Sequence, residues 1–205
     1  MEFESASPSV VRYIKQRELL NAWLRVRAVP PRLMPRLSDY RPERFTGEMA
    51  DMMGFDVIRS DAGVRFLITQ EGARLTATYG NEDPAKRPSR FLDDSIGPDR
   101  YARVLQPYLV CLERKRPTYS VSTVQDADGK DVSYERLLLP FGQADAVEQI
   151  VGSYKAISIE GGFKVDNLMG IRPKAVPVSV INAVIDADFV RPAPAVMSDD
   201  LIELD

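Results

Sequence analysis

The chain has 205 residues, a net charge of -3 and no histidine. That length suits one ordinary domain with extensions, and the acidic balance argues against nucleic acid as the main partner. Without histidine there is no usual zinc ligand of that type, no Ser-His or Cys-His dyad, no proximal haem ligand and no phosphoacceptor histidine.

A single cysteine, Cys111, excludes an intramolecular disulfide. The acidic start, Met-Glu-Phe-Glu-Ser, has no apolar core of a signal peptide, and no apolar run approaches the ~18 residues of a membrane span. These features predict a cytoplasmic protein.

In chain order, residues 9–27 predict a helix, with apolar rows at Val10, Ile14, Leu20 and Leu24 and at Leu19, Trp23 and Val26. Ser7 or Ser9 is a candidate cap, and Pro30-Pro31 ends the helix. Prolines then make 30–42 extended, and 42–53 predicts a short helix stopped by Gly54. Residues 55–59 and 64–69 read as a hairpin turning at 60–63. A short helix around 71–79 precedes a polar, proline-rich loop at 81–90.

Residues 98–115 carry the apolar stripe Tyr101, Val104, Leu105, Tyr108 and Leu112, with Asp94, Ser95 or Gly97 as cap. Pro107 should kink or split this helix. Three strands follow at 117–124, 129–142 and 147–156; Asp128-Gly129 is the turn signal between the first two. Residues 176–184 read as strand or short helix, and 188–205 as a loose tail. This order predicts an α+β fold with an antiparallel sheet. It divides into an N-terminal helix at 1–29, a central domain at 30–160 and a partly flexible extension at 161–205.

Residue patterns along the chain resemble one family. Trp23, Arg25 or Arg27, and Pro35-Arg36 look like its opening. Arg65-Phe66, Gly72 and Tyr79-Gly80 look like its front hairpin region. Pro107-Tyr108, Cys111 and Arg116-Pro117 look like its central helix and next strand. Asp128-Gly129 and residues 134–141 look like its most distinctive block. Over roughly residues 15–160 the chain resembles an alphaproteobacterial PAS-domain family of short, single-domain sensor and regulator proteins. It departs after Tyr79-Gly80, where relatives often carry Asp-x-Thr-Gly and this chain has Asn81-Glu82-Asp83-Pro84-Ala85. The resemblance implies a five-stranded antiparallel sheet with helices on one face, a cavity between them, and dimerisation through an N-terminal helix.

The expected function is therefore a non-enzymatic sensory or regulatory module acting through protein–protein interaction, possible gating being by a small apolar or aromatic ligand. The partners expected are a second copy of the chain and a signalling protein, with no nucleic acid, no membrane span, no cofactor and no metal. Residues expected around the cavity are Phe66, Ile68, Tyr79, Tyr101, Leu105, Tyr119, Leu137, Leu139 and Tyr154, in a wider set with Leu75, Tyr108, Val121 and Ile150. Which of them face inward depends on strand register. The tyrosines favour a ligand, because a buried hydroxyl needs a partner. A filled core is the competing reading. The dimer helix would present Ile14, Leu20, Trp23 and Leu24.

Other candidates have plainer readings. Cys111 precedes the basic run Arg114-Lys115-Arg116, which would lower a thiol pKa, but a buried inert cysteine is the simpler account. Asp126, Asp128 and Asp131 have the wrong glycine position for a calcium loop and read as a hairpin turn. Glu135 and Arg136 should face opposite sides of a strand, one of them to solvent. An enzyme using Tyr and Asp in the cavity, or a scaffold with a filled core, are the alternative functions.

Overall fold

A computed structural model describes residues 2–29, 34–42, 47–75, 90–165, 168 and 177–188. Among them seven strands form one mixed open sheet in the order β1-β7-β4-β5-β6-β2-β3. The strands are β1 (Glu4–Ala6), β2 (Met52–Ser60), β3 (Gly63–Glu71), β4 (Thr118–Gln125), β5 (Asp131–Gln143), β6 (Ala146–Ser158) and β7 (Val178–Ile185). The helices are α1 (Ile14–Ala28), α2 (Leu92–Ile96) and α3 (Pro98–Arg114).

Five of these strands, β4-β5-β6-β2-β3, are antiparallel throughout. Two more lie beyond the expected five. β7 pairs antiparallel with β4, and β1 pairs parallel with β7. The expected divisions at 29/30 and 160/161 therefore cross a single hydrogen-bonded sheet. The stretch 176–184 is read as strand or short helix, and from Val178 on it is strand: β7, whose Ala183, Val184 and Ile185 are buried.

The helices do not share one face. Strand alternation separates β5 into two sets. Tyr134 and Leu138 join Phe55, Phe66, Ile150 and Tyr154 in a core under α2 and α3. Leu137, Leu139 and Phe141 join Tyr119, Val121 and Ile185 in a second core under α1. The sheet is thus covered on both sides, which explains the nearly unbroken apolar run at 137–141. It also corrects the expectation for Glu135 and Arg136. They do point to opposite faces, but both are buried, because neither face is left to solvent.

Local elements shift in informative ways. α1 begins at Ile14, after a 3-10 turn at Pro8–Val10, and neither Ser7 nor Ser9 caps it. Residues 52–54, expected at the end of a helix, open β2, and a 3-10 turn at Met49–Asp51 directly precedes them. Pro107 lies inside α3 without splitting it, and its carbonyl accepts a bond from the Thr118 hydroxyl (3.3 Å). The hairpin turn at 60–63 is present, with Gly63 in positive φ. Of the helix expected around 71–79, residues 73–75 are helical, Glu71 still belongs to β3, Gly72 lies between the two, and 76–79 lie outside the described residues.

Candidate functional site

Two neighbouring strands of unequal reach create a cavity. β2 begins at Met52, opposite Ser153, whereas β6 continues to Ser158. Beyond Ser153 the edge of β6 has no β2 residue beside it, and side chains from both faces of β6 meet there. Tyr154 and Ala156 come from the α3 face, and Lys155 from the α1 face. The turn Met49–Asp51 supplies Glu48 and Asp51, and Arg74 and Leu75 close another side. The resulting cavity has a volume of about 340 Å³.

Gly72 sets the approach of these two turns. Its N–H donates to the Met52 carbonyl (2.8 Å). A Cβ at this position would stand 2.3 Å from the Ala50 carbonyl oxygen, so any other residue would force the turns apart.

The cavity wall carries a compact set of charges. Lys155 Nζ lies 2.6 Å from Glu48 Oε2 and 2.5 Å from Asp51 Oδ2. Arg74 Nε donates to the other Asp51 oxygen at 2.7 Å. Lys155 also sits 4.9 Å from the centre of the Tyr13 ring, within cation–π range. Only 8 % of Lys155 is exposed, and burial alone would lower its pKa. Bonds to Asp51 and Glu48, with their charges, outweigh that and hold it above the ordinary lysine value. It is therefore a fixed cation and no amine nucleophile at neutral pH.

On the α3 side, the hydroxyls of Tyr108 and Tyr154 bond to each other at 2.6 Å. On the α1 side, Tyr119 donates to Glu135 (2.6 Å) and accepts from the Arg12 N–H (3.2 Å). Burial, then the Glu135 contact, pushes the Tyr119 pKa up. The hydroxyls of Tyr108, Tyr119 and Tyr154, three of those expected to call for a ligand, thus find partners within the protein.

The candidate cavity residues do not form one lining. Phe66, Ile68, Tyr101, Leu105 and Tyr154, with Leu75, Tyr108 and Ile150, belong to the α3-side core. Tyr119, Leu137 and Leu139, with Val121, belong to the opposite core under α1. The sheet lies between the two sets, and Tyr79 is outside the described residues. Tyr154 and Leu75 do border the cavity. Sequence reading missed Lys155, Glu48, Asp51, Arg74, Tyr13 and Tyr134. One signal was available: Lys155 stands between Tyr154 and the apolar pair Ala156-Ile157 of β6, and a charge buried there needs counter-charges nearby.

The four residues expected at a dimer interface also divide. Leu20 and Trp23 are fully buried against this chain's own sheet, with Trp23 Nε1 donating to the Pro140 carbonyl at 2.7 Å. Leu24 is partly buried beside the same core, and Ile14 is 61 % exposed. The helix is docked on the sheet face that its apolar stripe fits, so Leu20 and Trp23 are not available to a second chain.

Cys111 is fully buried, and burial raises its thiol pKa far above the reactive range, which fits the inert reading. The basic run after α3 is paired: Lys115 with Asp145, and Arg116 with Asp186 and Asp188. Among the described residues no group of three or more acidic or cysteine side chains is placed to hold a metal ion. No helix among them is long and apolar enough to cross a membrane. No family model, curated protein or solved structure matches the chain.

Proposed function

We propose that this chain is a non-enzymatic PAS-type regulatory module, gated by a small molecule in the cavity beside β6 and acting through protein–protein contacts. Its five contiguous antiparallel strands, β4-β5-β6-β2-β3, and the helix across one face support the PAS reading. The observation that carries the gating is the position of Tyr13. This residue immediately precedes α1, lines the cavity and lies over Lys155. A ligand that moves Lys155 or Tyr13 acts directly on the first turn of α1. That turn is held to the sheet by Gln16, which donates to the Ser153 carbonyl at 3.0 Å.

The enzyme alternative would use Asp51 and Tyr154 as base and acid. Both Asp51 oxygens are already bonded to cations, and Tyr154 is bonded to Tyr108, an arrangement suited to holding groups still. In the regulatory reading, the outward side of α1 around Ile14 contacts the second copy or the partner protein.

Native mass spectrometry of the full chain, paired with hydrogen exchange, tests this. The expected result is a co-purified small molecule whose removal speeds amide exchange in residues 13–17. A bare mass, with α1 exchange unchanged after mild stripping, overturns the reading.

A further inference from the structure

We infer that the cavity selects a neutral molecule, an aromatic or aliphatic body with one hydrogen-bonding group, and rejects organic anions and cations of the same shape. The inference rests on reading this cavity as the ligand site, and adds the ligand's charge.

The argument begins with the charges on the wall. Among the described residues, Lys155 and Arg74 are two cations, and Glu48 and Asp51 two anions. The four sum to zero, and they are already engaged with one another. One Asp51 oxygen faces Lys155 and the other faces Arg74, while Lys155 is shared between two carboxylates and the Tyr13 ring. An incoming carboxylate reaches Lys155 only by displacing Asp51 or Glu48, which leaves a displaced anion beside it. An incoming ammonium meets the same problem in reverse, since both acids already hold a cation. Lys155 is nearly removed from water, so either exchange strands a poorly solvated charge.

A neutral molecule leaves the quartet intact. Leu75, Ala156 and Phe163 give its body an apolar surface. For its polar group, Tyr13 lines the cavity, and its hydroxyl makes no hydrogen bond among the described residues. The pattern of an apolar lining with few polar groups is that of small-molecule sites generally. Selectivity against ions comes from the self-paired charges and not from size.

Three probes of one skeleton separate these terms: naphthalenemethanol, naphthoate and naphthylmethylamine, titrated at pH 7 into the isotopically labelled full chain by NMR. Naphthalenemethanol is expected to shift residues 154–157 and to bind at least tenfold more tightly than either ion. Ala156→Trp, which fills the cavity, abolishes those shifts. Asp51→Asn leaves one cation in excess and raises naphthoate affinity at least tenfold; Glu48→Gln does the same if Asp51→Asn does not fold. Either ion binding as tightly as the alcohol overturns the inference. So does naphthoate affinity unchanged in the folded charge variant. If no probe binds while native mass spectrometry still shows a retained small molecule, the charge rule falls and the gated-module reading stands.

Discussion

At the residue scale, Asp126 shows how one side chain closes a turn. The sequence marks 126–131 as a hairpin connection, and Gly129 supplies the positive φ that the turn requires. The structure adds the reason for an aspartate at its start. Asp126 Oδ1 accepts from the Asp128 and Lys130 N–H groups, and Oδ2 accepts from the Lys164 N–H, each at 2.9 Å. One carboxylate therefore shapes the β4–β5 turn and fastens the segment that follows β6. The first of these roles is legible from local spacing; the second is not, because Lys164 is 38 residues away. The Lys164 bond, then the bonds from Lys130 and Asp128, outweigh burial and hold the carboxyl below the usual aspartate range. Asp126→Ala removes both acceptor oxygens and with them all three hydrogen bonds, and should lower Tm more than Asp126→Asn, which keeps one oxygen. Because the folded pKa is depressed, the carboxylate's contribution is complete at neutral pH and fades as pH falls through that folded value. Thermal melts between pH 7 and pH 3 should show the gap between wild type and Asp126→Asn narrowing toward the acid end. A gap that stays constant would mean that ionisation of Asp126 does not matter.

At the element scale, α1 carries the largest change from expectation. Its apolar rows were legible, and so was a helix ending before Pro30. What the periodicity could not say was which surface the stripe would meet, since a partner's helix and this chain's own sheet demand the same pattern. The sheet alternation settles it: Leu137, Leu139 and Phe141 form an apolar face that only α1 covers among the described helices. Pro107 is a similar case. The rule against proline in a helix concerns a lost bond and a clash, costs that tertiary packing can offset. Here Pro107 is buried with Tyr108 and Cys111 in the contact between α3 and the sheet. For α1, the decisive side chain is Trp23. Trp23→Ala should destabilise the chain by about 3–5 kcal/mol, as for other buried aromatic truncations. Trp23→Phe should cost less, about 1–3 kcal/mol, mostly from the carbonyl of Pro140 left without its donor. Trp23→Asp should abolish cooperative unfolding altogether. Urea denaturation followed by circular dichroism measures all three. A Trp23→Asp chain that melts like wild type while losing a dimer would restore the interface reading.

At the scale of the whole molecule, the two ends of the chain complete the sheet. The central hairpins and the three-strand run at 118–158 were readable because their turns are short and their pairings local. β1 and β7 were not, because their pairing joins residues almost the full described length apart, Glu4 with Ala183 and Ala6 with Ile185. Three residues of β1 carry no periodicity at all, and only the apolar run of β7 hinted at structure there. The cavity had the same obscurity: it arises from β6 outrunning β2, a matter of relative strand length that no single segment encodes. The consequence is a test of where the folding unit ends. A chain stopped at 176 loses β7, removes the partner of β1 and bares the outer edge of β4. Burial of Val184 and Ile185 alone is worth about 3–6 kcal/mol, against a typical domain stability of about 5–15 kcal/mol. The exposed β4 edge, rich in Thr, Tyr and Val, would also invite pairing between chains. A chain stopped at 188 keeps every described β7 bond. The expected outcome in urea titrations is a midpoint near that of the full chain for 1–188 and a far lower one for 1–176, with light scattering showing association only in the shorter chain. If 1–176 were as stable and as monodisperse as the full chain, the five antiparallel strands would be the autonomous unit, and β7 an accessory laid on its edge.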